Sequence, residues 1–393
     1  MTTSIKLPGR VPSITAILAC LLVSACASGT PGVDEDRIHR VATGLVPAED
    51  GAPTASVEER LEHHGVPGVS VAVIEEGELL WARGWGEAAD GVPVTPETLF
   101  QAASISKPVM AVGALRLVED GVLSLDSDVN EQLQGWQVPD SPFTYDRKVS
   151  LRGLLSHSAG LTVHGFPGYA EGAEVPSLVQ LLDGASPANT APVRVDTIPG
   201  DLWRYSGGGS SVVQLLMTEV TGLPFPELMD SLVLGPLGME RSTFQQPLPR
   251  ARHGEAATAH GANGEAVPGR FHTYPEKAAA GLWTTPSDLA RLAIELQRLL
   301  AGASDGILQP ETVREMLTLQ AGEWGLGFTL REGDGHLWFS HGGANRGFRA
   351  TFLAMAHEGR GVVVMTNSDA GMGIANEIVR AVAREYGWPS YGS

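Results

Sequence analysis

Cysteine is almost missing from this chain: two in 393 residues, Cys20 and Cys26, both near the N-terminus. A disulfide framework therefore cannot hold the fold, and a packed core must. Lysine is nearly as scarce, with Lys6, Lys107, Lys148 and Lys277 set against 23 arginines. No basic run occurs, and the formal charge is −18. That excludes nucleic acid as a partner, because phosphate recognition needs clustered Lys and Arg. No repeat of fixed period is visible. The histidines at 63, 64, 157, 164, 253, 260 and 272 lack metal-ligand spacing and read as solvent-facing or core residues. No metal or cofactor is expected. What is present is ordinary for a globular protein, 43% apolar and 18% charged residues.

The N-terminus carries a different signal. Lys6 and Arg10 precede the apolar run "ITAILACLLVSA" (Ile14 to Ala25), a charged region followed by a hydrophobic one too short to span a membrane as a mature helix. Val23-Ser24-Ala25-Cys26 resembles the lipobox of bacterial lipoproteins, which implies cleavage after residue 25 and lipid attachment at Cys26. The expected location is outside the cytoplasm, anchored to a bacterial membrane. Loss of Lys6 and Arg10 takes the charge from −18 to −20. Residues 26–52, rich in Gly, Pro, Ala, Thr and Asp, read as a flexible tether.

Beyond the tether the pattern alternates between two periods. "VEERLEHHG" reads as a helix ended by Gly65, and the valines at 69, 71 and 73 with Leu79 to Trp81 flank a hairpin turn at Glu76-Gly77. Apolar spacing of three or four then dominates, as in "MAVGALRLVEDG", "VSLRGLLSH" and "SSVVQLLMTEVTG". "PSDLARLAIELQRLLAG" and "PETVREMLTL" follow, each with Pro in the first turn. After Trp324 strands return in "HLWFSHGG", "FRATFLAMA" and "RGVVVMTNS", and "ANEIVRAVAREYG" closes the chain as a helix. This order predicts an α+β fold: an antiparallel sheet from both chain ends with flanking helices, and an inserted, mostly helical domain. The sheet domain would take 53–107 and 276–390, and the insertion 108–275.

One helix start is chemically odd. Ser104-Ile105-Ser106-Lys107 has the serine of a capping box, but Lys107 stands where Glu or Gln would be stabilising. A cation there is opposed by the helix macrodipole. Three residues apart on one turn, Ser104 and Lys107 face the same side, about 5–6 Å between Cβ atoms, and closer if the turn is 3₁₀-like. A serine hydroxyl needs a base to become a nucleophile, and a buried lysine can be that base when neutral. Arginine could not.

Two further stretches complete a pattern: Tyr205-Ser206-Gly207 before a helix, and His341-Gly342-Gly343 on a strand. With Ser104-x-x-Lys107 they occur in the order and at the intervals of the serine β-lactamase and penicillin-binding-protein superfamily, and the chain from about 55 to 388 resembles its class C β-lactamase-like branch. "LRGLLSHSAGL", "LGPLGMERSTF" and "AAGLWTTPSDLAR" resemble its connecting segments. The resemblance implies acyl-enzyme chemistry with Ser104 as nucleophile and Lys107 and Tyr205 sharing the base role, the phenol partly ionised beside the ammonium. It implies an oxyanion site between the N–H groups of Ser104 and Ala344, worth about 3–4 kcal/mol per donor. His341, Gly342, Gly343 and Gly207 would line the substrate site.

Two departures shape the expected substrate. Gly207 stands where many members have Asn, and Gly342 where Thr or Ser would bind a β-lactam carboxylate. Both favour a small ester or amide over efficient β-lactam turnover. A D-Ala-D-Ala-type carboxypeptidase, a D-aminopeptidase, a weak β-lactamase or a non-catalytic peptidoglycan-binding relative are the alternatives. No Glu-x-x-x-Asn element supports a class A deacylation route. Gly302-Ala303-Ser304-Asp305-Gly306 matches a nucleophile elbow, but a helix precedes it, so it reads as a helix-ending turn. Gly207 to Ser211 lacks the lysine of a phosphate loop, and Ser156-His157 read as turn braces.

Overall fold

The structure, a computed structural model, describes residues 34–46, 53–303 and 305–389. Helices α1 (Glu35–Thr43) and α2 (Val57–His64) lead into β1 (Gly68–Glu75), β2 (Glu78–Ala89) and β3 (Val92–Pro93). The short β4 (Phe100–Gln101) precedes α3 (Ser106–Glu119), α4 (Leu151–Leu155), α5 (Leu178–Asp183), α6 (Gly207–Thr221) and α7 (Phe225–Met229). Then come α8 (Lys277–Ala280), β5 (Trp283–Thr284), α9 (Pro286–Leu300) and α10 (Pro310–Met316). The chain closes with β6 (Thr329–Gly333), β7 (His336–Asn345), β8 (Phe348–Met355), β9 (Gly361–Thr366) and α11 (Met372–Glu385).

The expected antiparallel sheet is present, in the order β3-β2-β1-β9-β8-β7-β6. The two chain ends meet where β1 pairs with β9, Val69 opposite Thr366. The alternation that predicted β1 sorts its side chains between two layers. Val69, Val71 and Val73 pack with α2 and α11, and Ala72 and Ile74 with the interior that holds α3 and α9. The turn expected at Glu76-Gly77 joins β1 to β2, and α2 ends at a left-handed Gly65.

Two expectations about organisation need correction. The tether does not run unbroken to residue 52, because α1 lies inside it. Ile38, Val41 and Leu45 are buried against Ile378 and Val382 of α11, each contributing about 1.5–3 kcal/mol of apolar burial. Arg40 reinforces this by donating to Glu385 at 2.8 Å. A compositional reading overlooks a helix this short. The boundary drawn at 107/108 also falls inside α3, whose apolar face sits in one continuous core shared by the sheet and the helices. The residues from Glu35 onward form one unit. The leader 1–25 and Cys26 lie outside the described residues, among which no helix is long and apolar enough to cross a membrane.

Candidate active site

Between Thr98 and Leu115 only one residue is not buried, and it is Ser104. It sits on the 3₁₀ turn Ala103–Ile105 that opens α3, the tight turn the sequence allowed. Ala103, just before it, has φ +52°, a left-handed conformation costing a non-glycine residue about 1–3 kcal/mol. Ser106 helps hold that strain. Its hydroxyl donates to Ala103 O at 2.6 Å and accepts from the Leu282 N–H at 3.0 Å. Ser106 is therefore a brace, and Ser104 is the hydroxyl presented to solvent.

Lys107 is buried, and its Nζ lies 3.0 Å from Ser104 Oγ. The amine also donates to Ala279 O at 2.8 Å, on α8. Gln214 of α6 positions that short helix, donating to Pro275 O at 3.2 Å and accepting from the Ala278 N–H at 2.9 Å. Among the described residues no carboxylate pairs with Lys107. Burial pushes its pKa down to about 7, so near neutral pH a large fraction carries a free lone pair beside Ser104.

Tyr205 precedes α6, whose N-cap Ser206 accepts from the Gly209 N–H at 3.0 Å and donates to Thr162 O at 2.7 Å. The Tyr205 side chain faces Lys107. Its ring packs against His157 at 4.3 Å, His164 at 4.9 Å and Trp324 at 5.6 Å between centroids. Burial pushes the phenol pKa up, and the neighbouring Ser104 hydroxyl opposes that only in part. Burial works against the phenol partly ionised by an ammonium that the resemblance implied. Lys107 Nζ lies 4.9 Å from the ring centroid, over its face, and the same burial that lifts the phenol discharges the amine.

The third element lies on β7. Pairing with β6 ends at Ser340, so residues 341–345 present an edge with no strand on that side. Gly343 is flush against the nucleophile turn, where a β-carbon would stand 2.3 Å from Ala102 O. Only glycine allows that approach. Ala344 and Gly342 are exposed, and a β-carbon on Gly342 would meet Ala350 O at 4.0 Å. His341 is buried and donates from Nδ1 to Gly342 O at 2.6 Å. Its Nε2 is then an acceptor, and it has no partner among the described residues. Burial, with Lys107 adding to it, lowers the His341 pKa to about 3, so the ring is neutral.

Several features of the site left little trace in the sequence. His157, read as a turn brace, sits at φ +59° with its ring 4.7 Å from Trp324 and its Nδ1 accepting from the Ser206 N–H at 3.2 Å. Burial, followed by the charge of Lys107, holds its pKa well below the ordinary value. Trp203 stacks on Trp324 at 5.9 Å, which extends an aromatic wall to the surface. The space above Gly207 is not vacant. A β-carbon there would stand 2.9 Å from Phe166 and 3.0 Å from His164 O, so the 162–166 loop fills the place of the absent amide. No sequence spacing relates Phe166 to Gly207.

Two other regions are set apart from this cluster. The segment around Gly302 follows α9, a helix rather than a strand, which does not suit a nucleophile elbow. A cleft of about 800 Å³, lined by Leu79, Arg116 and Arg298 among others, contains none of the residues above. Among the described residues no group of three or more His, Cys, Asp or Glu side chains is placed to hold a metal.

Known proteins resemble the chain in sequence and in fold. It is 28% identical to a D-aminopeptidase of Gluconobacter oxydans over 81% of this chain and 59% of that protein, so it spans well under two thirds of that relative's length. Penicillin-binding protein 4 of Amycolatopsis lactamdurans is 26% identical, covering 83% of this chain and 87% of its own, and esterase EstB of Burkholderia gladioli is 29% identical, covering 66% and 72%. A D-amino acid amidase of Ochrobactrum anthropi has the same fold, with a TM-score of 0.70 at 21% identity over 90% of this chain and 99% of that one. The Beta-lactamase family matches residues 54–385, which include Ser104, Lys107, Tyr205 and His341, and the chain belongs to that family.

Proposed function

We propose that this protein is a serine hydrolase that cleaves carboxylic esters or amides through an acyl-enzyme on Ser104. One observation carries the reading: the sole accessible side chain of its segment is a hydroxyl 3.0 Å from a buried lysine amine with a pKa of about 7. In this reading neutral Lys107 accepts the Ser104 proton as Oγ forms a bond to the substrate carbonyl carbon. The N–H groups of Ser104 and Ala344 hold the oxyanion. Tyr205 gives its proton to the leaving oxygen or nitrogen as that bond breaks, and regains one from Lys107. Water then attacks the acyl-enzyme carbonyl, its proton passing to the same pair, and Ser104 is released. The glycines at 207 and 342 favour esters and simple amides over β-lactams, since neither supplies a side-chain contact.

The test has two parts. A fluorophosphonate probe is expected to label one peptide, at Ser104, as mapped by mass spectrometry. Hydrolysis of a short acyl ester is expected to exceed that of a chromogenic cephalosporin and of a D-Ala-D-Ala peptide. Absence of labelling would leave a non-catalytic binding protein, and faster cephalosporin turnover would reverse the substrate preference. The N-terminal pattern further supports export and lipid attachment at Cys26. Mass spectrometry of the mature protein should find an acylated Cys26 as its first residue, and an intact or unacylated N-terminus would refute the anchor.

A further inference from the structure

Ala344 also borders a pocket of about 410 Å³ that the proposed chemistry leaves unused, walled by Phe166, Tyr274, Arg346, Arg349 and Asp369. Which part of a substrate reaches it follows from proton transfer. Tyr205 protonates the leaving group, so the leaving group stands on the Tyr205 side, beside the Trp324 and Trp203 wall. The acyl part then runs the other way, past Ala344, which both borders the pocket and supplies an oxyanion N–H.

The charge of that pocket is one-sided. Arg346 and Arg349 each place Nη1 2.9 Å from Asp369, two guanidinium groups on one carboxylate. Arg349 is the less exposed of the two, and its Nη1 also donates to the carbonyls of Asn345 and Phe348 at 2.8 Å each. Arg346 differs. Its side chain is 52% exposed, and Asp369 is its one side-chain partner among the described residues. Its main-chain N–H is pinned to the Tyr274 hydroxyl at 2.9 Å, so the residue is anchored while one edge of the guanidinium stays open. Glu276, near Tyr274, is buried, which raises its pKa to about 8 and leaves it mostly uncharged at neutral pH.

The geometry points to Arg346 as a specificity residue that receives a carboxylate carried by the acyl portion of the substrate. This rests on the serine-hydrolase reading of Ser104. It disfavours a substrate with a free ammonium on the acyl side, which would meet a net positive pocket. A guanidinium edge suits a planar carboxylate because two N–H groups can donate in parallel.

Three p-nitrophenyl esters of equal chain length provide the test: the hexanoate, the hydrogen adipate with an anionic end, and the 6-aminohexanoate with a cationic end. At low salt the adipate is expected to exceed the hexanoate in kcat/KM by about tenfold, with the margin shrinking as salt screens the charge. Arg346→Gln should remove that margin through KM and leave hexanoate turnover within about twofold, and Arg346→Lys should restore part of it. An adipate no better than hexanoate, or an Arg346→Gln enzyme equally impaired on both, overturns the inference while the serine-hydrolase reading stands. Failure to hydrolyse any of the three, with no fluorophosphonate label at Ser104, overturns both.

Discussion

A Lys107→Met enzyme is expected to lose about 10³–10⁴-fold in kcat/KM while keeping its fold, since among the described residues the amine is the base placed to take the Ser104 proton at the outset. Methionine matches the length and apolar stem of the lysine, so the loss reports the nitrogen and not a cavity. The wild-type pH profile carries the same signature. Lys107 must be neutral to act, and burial brings its pKa to about 7. The kcat/KM should therefore rise with pH through about 7 and level off above it, and should fall tenfold per pH unit below. A profile flat from pH 5 to 8 would exclude Lys107 as the base. Stability should move in the same direction, over a higher pH range. In the unfolded chain the lysine recovers its ordinary pKa of 10.5, so between about 7 and 10.5 the unfolded state binds the extra proton and stability rises with pH. The methionine variant removes that linkage, so its Tm at pH 7 should exceed that of the wild type.

Tyr205→Phe should cost about 10²–10³-fold on an alkyl ester or an anilide but about tenfold or less on a p-nitrophenyl ester. The contrast follows from the proton. An alkoxide or amide anion cannot leave without one, whereas p-nitrophenolate can. The phenyl ring should keep its packing against His157 and Trp324, at 4.3 and 5.6 Å in the parent, so a general collapse of the site is not expected. A standing phenolate base would give a different result. Acylation would suffer equally whatever the leaving group, and equal losses on both substrate classes would assign Tyr205 that role. The upward push of burial on its pKa argues for the proton donor.

Much of this site was legible because its groups are coded locally. Ser104 and Lys107 are three residues apart on one turn, and the spacing alone puts them on one side. Gly343 was legible for a related reason, as part of a short strand motif, although its purpose was not. Only the approach of Ala102 O shows why no β-carbon fits there. Phe166, Arg346 and His157 were not legible. Each faces its neighbours through loops whose course depends on packing between segments far apart in the chain. The missing amide at Gly207 was legible, but not that Phe166 takes up the space beside it. The tether was misjudged through scale, since Ile38 and Val41 commit a nine-residue helix to the core.

Residue order alone is enough for the α+β class, the hairpin at Glu76-Gly77 and the pairing of Ser104 with Lys107. Those features follow from periodicity and spacing, which are properties of a chain read in order. Tertiary structure decided the protonation states and the charge of the pocket. A lysine becomes a base near neutral pH only when surrounding elements bury it without a carboxylate partner. An arginine shares a pocket with Ala344 only because the fold brings the turn after β7 there, as it does Arg346. Burial and juxtaposition are sums over residues distant in sequence, and no local pattern records them.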